Sequence, residues 1–98
     1  MNWREKRSRI RLDMADAFSE RSGISREDFL EIFYDAASQP PIGDFTAQYL
    51  ADEETLEKIF SEIADLTGLD DKRVKGHYHL EESFPQFAEH LLRAGAYA

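Results

Sequence analysis

Three histidines and a scatter of acids are the residues of this chain whose types and spacing could do chemistry. His77 and His79 form an H-x-H pair, Glu81 and Glu82 follow, and His90 lies further on. On a strand, side chains two apart share a face, and such a pair could ligate zinc. On a helix the two rings would point about 200° apart and could not share an ion. The flanking residues read as helix and there is no cysteine to assist. One histidine is therefore expected to pack beside Tyr78 and the other to be solvated, with no metal and no cofactor. The carboxylates fall on helix faces opposite apolar stripes, and an exposed carboxylate is a poor general acid at neutral pH. No nucleophile-elbow, zinc-protease, P-loop or dinucleotide motif occurs. A chain of 98 residues is also short to enclose a typical substrate cleft of roughly 300 Å³ or more. The expectation is a protein that is not an enzyme.

The elements that would position these groups read as helix nearly throughout. Ile10, Met14, Ala17 and Phe18 make a narrow stripe on a first helix from Trp3 to Arg21, stopped by Gly23. Ser25, with Asp28 three residues on, caps a second helix whose apolar side is Phe29, Ile32, Phe33 and Ala36. That helix must end before Pro40-Pro41. Asp44 is placed to cap a short helix through Phe45, Tyr49 and Leu50. Asp52 is placed to cap the strongest one, with Leu56, Ile59, Phe60, Ile63 and Leu66 in a three-four rhythm and Thr67-Gly68 at its end. Asp70 opens a weaker helix through Val74 and Tyr78, although Val74 to Leu80 alternates and could be extended. Ser83 with Gln86 forms a capping box before Phe84, Phe87, Leu91 and Leu92, and Gly95 closes that helix. The fold expected is all-α: one compact bundle of five or six short helices over residues 1–98. It divides into a basic-to-amphipathic N-terminal helix (1–21) and an acidic helical core (25–94), with helices two, four and six supplying the packing. At an offset of 45 residues, Gly23/Gly68, Phe18/Ile63 and Phe29/Val74 match, as two helical hairpins with common cap chemistry would.

Charge is divided unevenly along the chain. Residues 1–11 hold five of the twelve Lys/Arg and one of the twenty Asp/Glu, a net of +4; the remaining seven and nineteen give residues 12–98 a net of −12. Cysteine is absent, which suits a reducing compartment. No apolar run approaches the ~18 residues of a membrane span, and no apolar stretch follows the basic start as in a signal peptide. The expected setting is cytoplasmic, with no membrane partner.

Residues 63–78 (IADLTGLDDKRVKGHY) resemble the helix-turn-helix pattern of bacterial transcription regulators, through Ala64, Gly68, Leu69 and Val74. The resemblance would make Asp70, Asp71, Lys72, Lys75 and Gly76 groove-facing. Two acids toward phosphates repel, and a glycine reads no base. A small DNA-binding regulator is therefore the alternative reading, using Lys72, Arg73 and Lys75 with Arg4, Arg7 and Arg11 of the basic segment. The bland reading of that segment is pairing with the chain's own acids or with those of a neighbouring subunit.

The acidic surface carries the leading reading. Asp28, Glu31 and Asp35 share one face of the second helix, beside Tyr34; Glu54, Glu57 and Asp65 line up on the fourth. Such faces complement a protein with a basic surface, with Tyr34, Phe45 and Tyr49 as apolar anchors. The order of an S-x-x-D-F-L helix, a D-E-E-T-L-E helix, an H-Y segment and a final S-x-P helix resembles the nuclease-immunity proteins of colicins and pyocins. Ser25, Asp28, Phe29, Asp52, Glu53, Tyr78 and Ser83 carry this echo of element order. The chain lacks that family's tyrosine pair before a proline and has an extra N-terminal helix. What the resemblance implies is that this composition suits an inhibitor. The leading expectation is thus a non-catalytic acidic binding module, in its sharpest form of inhibitor or immunity type, that occludes a basic nucleic-acid-handling partner. A third reading is a homo-oligomer joined through the N-terminal helix.

Overall fold

A computed structural model describes residues 1–50 and 52–98. Among the described residues six helices follow one another: α1 (Trp3–Ser22), α2 (Arg26–Phe29, continued by one π turn, Leu30–Tyr34), α3 (Ile42–Tyr49), α4 (Glu53–Thr67), α5 (Asp71–Gly76) and α6 (Phe84–Arg93). There is no strand among the described residues. The bundle is all-α, with a radius of gyration of 12.2 Å.

Most helix ends fall where cap chemistry puts them. The side chains of Ser25, Asp52, Asp70 and Ser83 accept hydrogen bonds from the backbone N–H groups of Asp28, Thr55, Arg73 and Gln86, which would otherwise lack partners. α1 and α4 both end on a left-handed glycine, Gly23 at φ 83° and Gly68 at φ 79°. The pairs matched at the 45-residue offset therefore hold equivalent places in two hairpins, α1–α2 and α4–α5. In the left-handed region a Cβ crowds the following carbonyl, so Gly68→Ala is expected to cost about 1 kcal/mol in urea unfolding. Gly76 ends α5 with an ordinary φ and open space around it. Gly76→Ala there should stabilise by about 0.5 kcal/mol. The opposite signs of the two changes make one experiment of them.

Four expectations are corrected. α3 begins at Ile42, not at an Asp44 cap. Its first amides are satisfied from outside, Ile42 N donating to Glu82 O (2.7 Å) and Gly43 N to Leu80 O (2.8 Å), so no side-chain cap is needed. Ile32 is exposed, because the π turn (Asp35 N to Leu30 O) widens the spiral and brings Leu30 and Tyr34 against the core beside Phe33. Leu66 is exposed too; the buried stripe of α4 continues through Ala64 and Thr67. α5 stops at Gly76, and residues 77–82 are neither helix nor strand but turns that fold back over α3 and α6.

Helices two, four and six do not form the core alone. α1 packs against α2, α4 and α6, and its Ile10, Met14, Ala15, Ala17 and Phe18 are all buried. Its alanines let the neighbouring backbones approach. Around Phe18, the rings of Phe29, Phe45 and Phe84 pack with centroids 4.9–5.7 Å apart. These are the offset and edge-on separations aromatic quadrupoles favour.

Candidate functional site

α4 carries five of the twenty Asp/Glu, Glu53, Glu54, Glu57, Glu62 and Asp65. Its stripe (Leu56, Ile59, Phe60, Ile63, Ala64, Thr67) faces the core and turns the other side outward. That outer side borders a shallow furrow of about 410 Å³ lined by Glu54, Glu57, Glu62 and Asp65 against two cations, Arg21 and Lys58. Glu54 pairs with Lys58 (3.5 Å) and Glu57 with Lys75 of α5 (2.7 Å); all four side chains are more than half exposed, and pairs of that kind add little stability. Asp65 is exposed and has no ion-pair partner among the described residues. Glu62 is different. Arg21 reaches its Oε1 (3.2 Å), but Oε2 is buried without a hydrogen-bond partner among the described residues. Burial first, and then the nearby Glu20 carboxyl, push the Glu62 pKa above the usual carboxylate range, against the pull of Arg21. Both effects disfavour the charged form of Glu62, so the carboxylates open to an incoming cation are those of Glu54, Glu57 and Asp65.

The second acidic row lies elsewhere. Asp28 and Glu31 are exposed on α2 and its π turn, Tyr34 is half-buried, and Asp35 accepts two bonds from Arg11 (3.0 and 2.6 Å). That Arg11 fork holds the Asp35 carboxyl below the usual carboxylate range. α1 packs between α2 and α4, so the two rows do not merge into one surface. Phe45 is fully buried in the aromatic cluster and cannot serve as an anchor. Burial also pushes the Tyr34 phenol up to about 12, keeping it protonated.

The basic residues are largely occupied within the chain. Arg7 forks onto Glu89 of α6 (3.2 and 2.7 Å), Arg11 onto Asp35, and Arg9 reaches Asp13 (3.3 Å). In the α4–α5 hairpin, Arg73 donates to the Ala94 carbonyl and Lys75 to Glu57. Lys72 and Arg4 are exposed, with no ion pair among the described residues. α5 has six residues and opens with Asp70 and Asp71. No protein-family model, curated protein or solved structure matches the chain. The functional reading therefore rests on the charge and shape of the chain's own surface.

A second group of side chains was not legible in the sequence. Because α5 ends at Gly76, both His77 and His79 reach His90, with ring centroids 5.5 and 6.2 Å away, and His90 Nε2 lies 3.0 Å from both oxygens of Glu82. His79 is exposed, as expected of the solvated histidine, and meets His90 edge-on, while His77 stacks on His90. Among the described residues, no group of three or more His, Asp or Glu side chains is arranged to hold a metal ion. Burial, followed by the charges of His90, His79 and Arg73, lowers the His77 pKa, with Glu82 opposing. A base depressed in the folded state takes up its proton more readily when unfolded. Its stabilising contribution is complete above the ordinary histidine value near ~6.5 and is lost as pH falls below it. The thermal midpoint should therefore drop between pH 7 and 5.5, and by less in His77→Gln. The carboxylates of Asp35 and Glu89, depressed by Arg11 and Arg7, add their loss only at more acid pH.

Beside these lies an apolar groove of about 390 Å³ at the N-terminal end of α4, lined by Leu56, Phe60, Tyr78 and, on its outer wall, Leu80, with Asp52, Glu53 and Lys75 as its charged residues. Tyr78 and Thr46 share a hydroxyl hydrogen bond (2.7 Å) at its base. No helix is long and apolar enough to cross a membrane among the described residues.

Proposed function

We propose that this chain is a non-catalytic binding module whose acidic α4 face docks on a basic protein, in its sharpest form an inhibitor that covers the nucleic-acid site of that partner. One observation carries the reading. The furrow beside α4 sets four carboxylates against two cations, and one of those carboxylates keeps a buried oxygen unpartnered. The exposed carboxylates of Glu54, Glu57 and Asp65 are what a Lys or Arg of a partner can reach, and Asp65 has no ion pair among the described residues. The chain's own basic side chains support the same direction, since Arg7, Arg11 and Lys75 are held by Glu89, Asp35 and Glu57 and form no free basic patch, and the net charge of −8 sets the sign of the field. Such a field speeds encounter with a basic partner and turns polyphosphate away.

The test is capture from a cell extract at low and at high salt, with a gel shift on random duplex DNA in parallel. Basic proteins should be retained at low salt and released as salt rises, and the duplex should not shift. A duplex shift abolished by Lys72→Glu with Arg73→Glu would replace this reading with the regulator built on the α4–α5 hairpin.

A further inference from the structure

Large apolar side chains are exposed at few places, and two of them complement each other. The first turns of α1 present Met1 and Trp3, 62% and 47% exposed, among Arg4, Lys6 and Arg7; Lys6 Nζ and Arg7 Cζ each lie 5.5 Å from the indole centroid. At the other place, Leu80 is 51% exposed on the wall of the groove whose edge is Asp52 and Glu53. One is an aromatic among cations; the other is an apolar trough with Asp52 and Glu53 on its rim, where the single lining cation, Lys75, is already paired with Glu57. The trough is preformed, because its outer wall is fastened to α3 through the Leu80 and Glu82 carbonyls.

The two cannot meet within one molecule. Tyr97 ties the C-terminal end of α4 to the middle of α1, its N–H donating to Thr67 O (2.8 Å) and its hydroxyl to Asp13 (2.6 Å). Arg21 at the far end of α1 reaches Glu62. α4 therefore runs antiparallel to α1, and its first turn lies beyond the end of α1 that is remote from Trp3. A helix of twenty residues is about 30 Å long, close to the 33 Å length of the whole bundle.

We propose that the groove receives Trp3 from a second copy of this chain. Two copies side by side and antiparallel place each Trp3 in the other's groove, an isologous pair that closes on itself. Trp3 brings the aromatic anchor, and Arg4 and Lys6 meet Asp52 and Glu53. The contact uses a different flank of α4 from the furrow assigned to a basic partner, and although the Glu57–Lys75 pair borders both, substitutions at Trp3 and Leu80 touch this contact alone.

The sole tryptophan makes the test direct. Sedimentation of the full chain over a concentration series should give a mass rising from 11.3 kDa toward twice that value, with Trp3 emission moving to the blue in step and the association weakening with salt. Trp3→Ala and Leu80→Asp, both at exposed positions that spare the core, should each weaken association more than about tenfold. The Leu80→Asp chain still carries Trp3, and the Trp3→Ala chain still carries the groove. Titrating the second into the first should restore the blue shift from the only indole present. A chain that stays monomeric throughout, or a dimer that survives both substitutions, overturns the proposal.

Discussion

Phe84→Ala is expected to remove about 3–5 kcal/mol of stability, the usual loss for a buried phenylalanine. Phe84 is wholly buried at the first position of α6, and its ring meets those of Phe18, Phe29, Phe45 and Phe33 at 4.9–6.4 Å. Those four rings come from α1, α2 and its π turn, and α3, so the truncation opens a cavity where four elements converge. Against a total of about 5–15 kcal/mol for a domain, the loss is a large share, and each kcal/mol moves the midpoint of a chain this size by about 4–8 °C. A calorimetric midpoint lowered by roughly 15–30 °C is the expected result. Leu80→Ala, a few residues away in sequence but exposed, is the control and should stay within about 0.5 kcal/mol. Equal effects at the two positions would contradict the packing described here.

The second large effect is on binding. Reversing Glu54, Glu57 and Asp65 together to lysine replaces three of the four furrow carboxylates and should weaken capture of a basic partner by about 100-fold or more. The fold should survive, because these side chains are exposed and their pairs with Lys58 and Lys75 lie at the surface. Far-ultraviolet circular dichroism that matches the unaltered chain establishes that. Asp28→Lys with Glu31→Lys on α2 is the useful comparison. With Glu27→Lys added, also exposed on α2, it changes net charge by the same amount on a different helix. Loss confined to the α4 set locates the contact, whereas equal loss from both sets indicates that net charge alone acts.

Much of the helical framework was legible because it is written in local chemistry. Ser25, Asp52, Asp70 and Ser83 cap the helices they precede, and Gly23 and Gly68 end the helices they follow. These interactions span three or four residues and leave a direct trace in sequence. What could not be read depended on distant partners. The start of α3 moved from Asp44 because amides of Ile42 and Gly43 are satisfied by residues some forty positions away. Ile32 lost its place in the stripe because one π turn changed the spacing between Phe29 and Tyr34, and no residue there announces it. The central role of α1 was hidden because its apolar stripe is narrow and partly alanine.

The surface divides in the same way. That Glu54, Glu57 and Asp65 share an outer face follows from helical spacing and the buried stripe of α4. That Arg21 leaves one oxygen of Glu62 unpartnered depends on how α1 and α4 pack. The internal use of Arg7, Arg11 and Lys75, each held by one carboxylate, required the same knowledge. The meeting of His77, His79 and His90 depended on the chain leaving α5 at Gly76 and doubling back.

The acidic face is best tested by a side-by-side titration at physiological salt. The unaltered chain and the Glu54→Lys, Glu57→Lys, Asp65→Lys variant are each titrated with a captured basic protein, and the unaltered chain also with random duplex DNA. The account predicts a complex with the protein that the variant loses, and no duplex binding within the range of about 10⁻⁶ to 10⁻⁴ M where non-specific DNA binders saturate. Duplex bound in that range, or a protein complex indifferent to the three reversals, would contradict it.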